Sequence, residues 1–322
     1  MRHGSVCALF LVVLGCGAPP PAAPTGPQSY AELAPSEVKL LGNTRPTKHL
    51  QIAFAGAELP SADTVEAALA KANHIVSVGE SSAGMDVALS GSVCEVVRGP
   101  RLGNLPDPAI APELDKHGLS EAEGRALFEA KAVVDIQCTP EEGSPAYAGA
   151  AAAEIVALAF LRATEGHLYD PHLDRFWPRA EWEPLGRRGF SVARNVRVLR
   201  EKGTDGHFWL GTRGMSAVGR ADLEVFPVAP DAVENLAEKL LTIADAVVND
   251  TRLGAGSVLD LGSTQALCLD RDAYAATWPK GTAGTTVKAA GDSAGRLALA
   301  DPKGQPGDRA AAERLARRLS LE

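Results

Sequence analysis

Tyr147-Ala148-Gly149-Ala150-Ala151-Ala152-Ala153-Glu154-Ile155-Val156-Ala157-Leu158-Ala159-Phe160-Leu161-Arg162-Ala163-Thr164 is the stretch on which the fold reading turns. Tyr147, Ala151, Ile155, Leu158 and Leu161 recur at helical spacing along one side, and Gly166 offers a C-terminal stop. The alanines at 150–153 leave a slim face that can lie close on a sheet. A sheet is at hand on the N-terminal side. Ala132-Val133-Val134-Asp135-Ile136 reads as a short buried strand, and Leu50, Ile52 and Phe54 alternate with Gln51 and Ala53 as a half-buried one.

Working outward, Met85–Leu89 and Val93–Val97 read as strands joined at Ser90-Gly91-Ser92. Pro60-Ser61 starts a helix with Val65, Ala68, Leu69 and Ala72 inward, and Ser120-Glu121-Ala122-Glu123 is a capping box that opens another. Beyond residue 166 strands dominate: Phe190–Leu199, His207–Thr212, Asp222–Phe226, Ser257–Leu261 and Ala266–Leu269. One further helix runs from Pro230-Asp231 to about Val248, with Val233, Leu236, Leu240, Ile243 and Val247 inward. Early alternation followed by a strand-rich middle predicts an α+β fold, mostly antiparallel sheet with helices packed on one face. The predicted globular domain spans residues 48–275. A Gly/Ala-rich mobile tail is expected over 276–322, ending in a short helix at Ala310–Leu319.

The N-terminus carries an address. Arg2 precedes the apolar run Val6-Cys7-Ala8-Leu9-Phe10-Leu11-Val12-Val13-Leu14, then Gly15-Cys16-Gly17. About nine apolar residues suit a signal-peptide core and fall well short of the roughly 18–20 that span a bilayer. Val13-Leu14-Gly15-Cys16 resembles the lipobox of bacterial lipoprotein signal peptides, with Leu14 bulkier than usual at its place. That resemblance implies a signal peptide over 1–15, lipidation of Cys16, and attachment to the membrane through the acyl chains. Gly17 rather than Asp suits an outer-membrane destination, facing the periplasm or the surface. Residues 16–47, opening with Ala18-Pro19-Pro20-Pro21-Ala22-Ala23-Pro24, read as a disordered tether.

With 32 Lys+Arg against 40 Asp+Glu, the formal charge is −8, which excludes the uniformly basic surface of a nucleic-acid binder. Walker A and dinucleotide glycine patterns are absent, and no cofactor is expected. Gly79-Glu80-Ser81-Ser82-Ala83-Gly84 misses the G-x-S-x-G spacing of a nucleophile elbow by one residue and reads as a turn. His167, Tyr169, Asp170, His172 and Asp174 are the densest set of potential metal ligands, yet H-E-x-x-H spacing is lacking and Asp170-Pro171 is ordinary turn chemistry, so no metal is expected. Trp177, Trp182 and Trp209 are read as core bulk in a chain with only 5% aromatics. Arg187, Arg188, Arg194, Arg197 and Arg200 do not share one strand face, so a solvated surface is expected, with an anion-binding patch as the alternative. Of the cysteines left after Cys16, the pair Cys94 and Cys138 is favoured for a disulfide, because both sit in or beside predicted strands.

The sharpest local pattern is Trp209-Leu210-Gly211-Thr212-Arg213-Gly214-Met215, followed by Gly219-Arg220-Ala221-Asp222-Leu223-Glu224-Val225. With Gly166–Pro171 it resembles a group of bacterial domains of unknown function that carry a T-x-G-M…G-R-x-D-L-E-like signature. The resemblance covers about residues 130–250, implies an α+β fold and brings no catalytic residues. In the hairpin this pattern predicts, Arg213 and Asp222 are expected to pair, with Gly214 and Gly219 taking unusual backbone angles. The leading functional expectation is a membrane-anchored lipoprotein with a non-catalytic binding or scaffolding domain, whose protein or small-molecule partner the residues do not name. The alternative is a periplasmic hydrolase or metal-dependent enzyme using His167, Asp170, His172 and Arg213.

Overall fold

The computed structural model describes residues 29–41, 46–71, 76–82, 84–99, 109–181, 190–250, 252–287 and 295–321. The signal-peptide segment, Cys16, Trp182, Arg187 and Arg188 lie outside the described residues. The fold is α+β, and its sheets are mostly antiparallel.

A seven-stranded antiparallel sheet is formed from the first half of the chain. Its strands are β2 (Lys48–Phe54), β3 (Val76–Glu80), β4 (Gly84–Leu89), β5 (Ser92–Gly99), β6 (Ala132–Pro140), β7 (His167–Asp170) and β8 (Arg175–Trp177), in the order β3-β4-β5-β6-β2-β7-β8. One face is covered by the predicted helix α5 (Ala148–Thr164), flanked by α2 (Ala62–Lys71). The slim start of α5 does what its composition predicts. A Cβ on Gly149 would stand 2.8 Å from the Cys138 carbonyl oxygen and 2.9 Å from Pro140, so only glycine lets the helix come this close. The helix ends one residue earlier than Gly166, at Glu165, whose φ of 52° is left-handed. Its burial also exceeds a single stripe. Ala150 joins the core of the second sheet and Glu154 is buried, because α5 is sandwiched between the two halves of the fold. The opposite face of the sheet is covered by α3 (Ala111–His117) and α4 (Glu121–Phe128), through Leu114, Leu119 and Leu127. The Ser120 capping box of α4 is present, with Glu123 reaching back to the Ser120 amide at 2.8 Å.

The second half builds a six-stranded sheet. Its strands are β9 (Arg197–Lys202), β10 (Phe208–Arg213), β11 (Asp222–Val228), β13 (Val258–Leu261), β14 (Thr264–Asp270) and β15 (Arg296–Ala300), in the order β13-β14-β15-β11-β10-β9. Only β11 and β15 run parallel within it. The amphipathic helix α7 (Val233–Asp250) lays Val233, Leu236, Leu240, Ile243 and Val247 into the core beside Leu315 and Leu319 of α9 (Arg309–Leu321). Each such Leu or Ile contributes about 1.5–3 kcal/mol of burial. An aromatic cluster of Trp209, Phe226, Tyr274 and Trp278 fills the other face, under α8 (Arg271–Ala275).

Three expectations are corrected. The segment 190–199 is not one strand, because α6 (Val192–Asn195) precedes β9. The tail over 276–322 is not appended to the body: β15 is an interior strand, wholly buried between β14 and β11. Leu297 and Leu299 face α7 and α9 while Ala298 and Ala300 face the aromatic cluster, so burial on both faces erases the alternation that marks a strand. Nor does the predicted tether stay free up to residue 47. Tyr30, in α1 (Tyr30–Leu33), is buried against Tyr274, and β1 (Lys39–Leu40) pairs with β12 (Gly254–Ala255). The dense proline run ends before Ser29, and only Pro35 and Pro46 follow it in the predicted tether. The aromatic anchor that follows is a single residue with no periodicity to betray it.

Candidate functional site: the junction at His172

The candidate residues sit where the two sheets meet. Lys48 opens β2 and Asp170 ends β7, and the two strands are neighbours. Their side chains form an ion pair of 2.5 Å, each only 1% exposed. The other Asp170 oxygen accepts the backbone N–H groups of His172 and Leu173 at 3.0 and 3.2 Å. This is the Asx-type turn that Asp170-Pro171 predicts. One carboxylate thus takes the Lys48 ammonium on one oxygen and both amides on the other, which shapes the β7–β8 connection.

His172 lies just beyond it. Its Nε2 accepts the backbone N–H of His49 at 3.2 Å, and its Nδ1 lies 3.3 Å from the Ser216 hydroxyl. The first bond fixes the tautomer: a nitrogen that accepts carries no proton, so the ring proton sits on Nδ1 and points to Ser216. A base that activates serine needs the reverse arrangement. The His49–His172–Ser216 contacts tie the first sheet to the β10–β11 turn.

Arg213 is the third tie. It ends β10, and its guanidinium donates to the carbonyls of His172 at 2.8 Å and Pro171 at 3.3 Å, with Asp174 3.9 Å away. Asp174 also accepts the Tyr169 hydroxyl at 2.9 Å. Burial, then that bond and the Asp174 charge, push the Tyr169 hydroxyl up to about 12.

The expected Arg213–Asp222 pair does not form. The hairpin itself does, with Gly214 and Gly219 at φ of 112° and 67°. Gly214 packs so tightly that a Cβ would stand 2.3 Å from the Asn195 carbonyl oxygen. Asp222 braces the hairpin, accepting the Thr212 hydroxyl at 2.9 Å and the Met215 amide at 3.3 Å, while Thr212 accepts the Leu223 amide. Glu224, one strand repeat on, binds the Trp209 indole N–H at 2.9 Å and Arg296 at 2.8 Å. In the T-x-G-M…D-L-E pattern, Thr212 and Asp222 thus brace the turn, while Arg213 and Glu224 tie the hairpin to its neighbours.

His167 does not join the junction. It lies on the opposite parity of β7, beside Glu123 and Arg179, and burial holds its pKa below the ordinary histidine value. Among the described residues, no group of three or more His, Cys, Asp and Glu side chains is placed to hold a metal ion. Trp177 and Trp209 are split between two cores, as filler rather than as one pocket wall.

Cys94 and Cys138 are bonded as a disulfide and directly opposed on β5 and β6. Lys48 is opposite Cys138 on the next strand, so the three residues form one row across the sheet. Cys268 is a buried free thiol whose pKa burial pushes up to about 12, which makes it inert. Lys48, His49 and Ser216 escape sequence reasoning. Only Lys48 leaves a trace there, sharing the inward parity of Leu50, Ile52 and Phe54. Compared with known protein families, curated proteins and solved structures, the chain matches none of them.

Proposed function

We propose that this protein is a lipid-anchored protein of the bacterial cell envelope, in the outer membrane, whose α+β body binds or scaffolds rather than catalyses. The observation that carries the reading is the Cys94–Cys138 disulfide, set in the middle of a sheet. Such bonds persist outside the reducing cytoplasm. Among the described residues no helix is long and apolar enough to cross a membrane. The lipobox-like Val13-Leu14-Gly15-Cys16 supplies an attachment that needs no such helix. The non-catalytic part of the reading is supported by the His172 tautomer and by the pairing of Asp170 with Lys48.

The test is metabolic labelling with a fatty-acid analogue in a bacterial host, followed by membrane fractionation. Wild type is expected to carry label and to fractionate with the outer membrane. Cys16→Ser is expected to lose both. Label retained on Cys16→Ser would end the lipoprotein reading.

A further inference from the structure

Beside the junction, a cleft of about 390 Å³ opens between the two halves of the fold. Its walls come from the end of α3, from Leu173 and β8, and from α6, β9 and α7. A volume of this size suits a small organic ligand, and such sites favour the seams between domains. Lys116, His117, Arg175, Arg194 and Arg197 line it, while Leu173, Val198 and Leu241 contribute an apolar portion. In a chain of formal charge −8, that concentration of positive groups is not compositional.

The charges can be counted. Glu181 binds Arg175 at 2.8 Å, and the buried Glu154 binds Arg194 at 3.0 Å, so each arginine is neutralised and held in place. Asp174 is engaged by Arg213 and Tyr169. Among the described residues, no carboxylate lies within ion-pair distance of Lys116 or Arg197. These two cations therefore have no ion-pair partner among the described residues. Arg197 moreover stands directly across β9–β10 from Arg213, a like-charge juxtaposition that disfavours the sheet, so folding does not account for it. His117 adds an Nδ1 that has no hydrogen-bond partner among the described residues. Burial first, then the charge of Lys116, hold its pKa down, Arg197 adds to this, and Asp174 and Glu113 push the other way.

We propose that this cleft binds a small organic dianion, a phosphate monoester or dicarboxylate carrying an apolar group, with Lys116 and Arg197 as the charged contacts. The proposal rests on the reading of the body as a binding domain. It is independent of the anchor, whose labelling test stands or falls separately.

Calorimetric titration of the full-length protein in detergent tests it, with phenyl phosphate, phthalate, benzoate and inorganic phosphate as probes. Both organic dianions are expected to bind, with benzoate and inorganic phosphate each weaker by about tenfold or more. K116A/R197A is expected to weaken the dianions by at least about tenfold while R200A, whose arginine is paired with Glu234 outside the cleft, binds as wild type. Thermal melts of each variant establish that it folds. Lys116→Ala, at an exposed position, serves if the double variant does not fold, and is expected to weaken both dianions; equal binding by it would overturn the assignment. No heat from either dianion at millimolar concentration would overturn the proposal, as would equal binding by folded K116A/R197A. Inorganic phosphate binding as tightly as phenyl phosphate would remove the organic part and overturn it as stated.

Discussion

Arg213 ends β10 and Asp222 begins β11 of the same hairpin, yet the two side chains serve different halves of the molecule. Arg213 reaches the carbonyls of Pro171 and His172 beyond β7. Asp222 braces Thr212 and Met215 inside the turn. Sequence adjacency across a hairpin suggests a pair. The chain instead uses one residue to close the turn and the other to fasten that turn to the neighbouring sheet.

The energetics follow from that separation. Arg213→Ala and Asp222→Ala should each cost about 1–3 kcal/mol, because each leaves charge-assisted hydrogen bonds unmade. As members of different networks they should add, with the double variant within about 0.5 kcal/mol of the sum. Urea unfolding of the four proteins checks this. A double variant no worse than either single would restore the direct pair.

Lys48 and Asp170 make the sharper case. Both are buried, so Lys48→Met leaves a carboxylate with only two amides in a dry site. The expected loss is about 3–5 kcal/mol. K48M/D170N removes the stranded charge and should recover part of that loss. Equilibrium unfolding that finds Lys48→Met as stable as wild type would mean the ammonium is solvated in solution.

What the sequence shows of all this depends on range. The Ser120 capping box, the α7 stripe and the β4–β5 hairpin are local, and they appear where the residues put them. The parity of Lys48 already marks it as inward, but the Asp170 that makes a buried ammonium tolerable is 122 residues away. β15 is hidden for a different reason: Arg296-Leu297-Ala298-Leu299-Ala300 is buried on both faces and sits in a Gly- and Ala-rich neighbourhood, so it carries neither alternation nor contrast. The cationic cleft is the least legible. Arg194 and Arg197 stand out in the sequence, but Lys116 and His117 come to them from a short helix on the far side of the chain.

The disulfide offers a test that needs no ligand. Cys94 and Cys138 close a loop with a sequence separation of 44 residues, for which loop-closure entropy gives about 4 kcal/mol in the denatured chain. Cys94→Ala/Cys138→Ala should therefore unfold at lower denaturant by an amount in the range of about 2–5 kcal/mol. Of Cys94, Cys138 and Cys268, thiol titration of the denatured, non-reduced protein should find only Cys268 reactive. Free thiols at Cys94 and Cys138 in protein taken from the envelope would contradict the bond.

Acid sensitivity follows from His167 and His117. Burial is the main cause that lowers the pKa of each below the ordinary 6.5. At His167 Arg179 adds to the lowering and Glu123 opposes it, and at His117 Lys116 adds most to it. In the unfolded chain both imidazoles take up protons near 6.5, whereas the folded protein resists until lower pH. The unfolded state therefore binds more protons in that window, and stability must fall as pH drops below about 6.5. It is fully present above that value and is lost progressively as pH descends through the two folded-state values. His167→Gln, which cannot titrate, should flatten part of the slope of melting temperature between pH 7 and 5, and H117Q/H167Q should flatten more of it. Saturating the cleft with phenyl phosphate should raise the His117 pKa and flatten the same slope in wild type. A slope identical in wild type and H117Q/H167Q would show that the acid response comes from carboxylates instead.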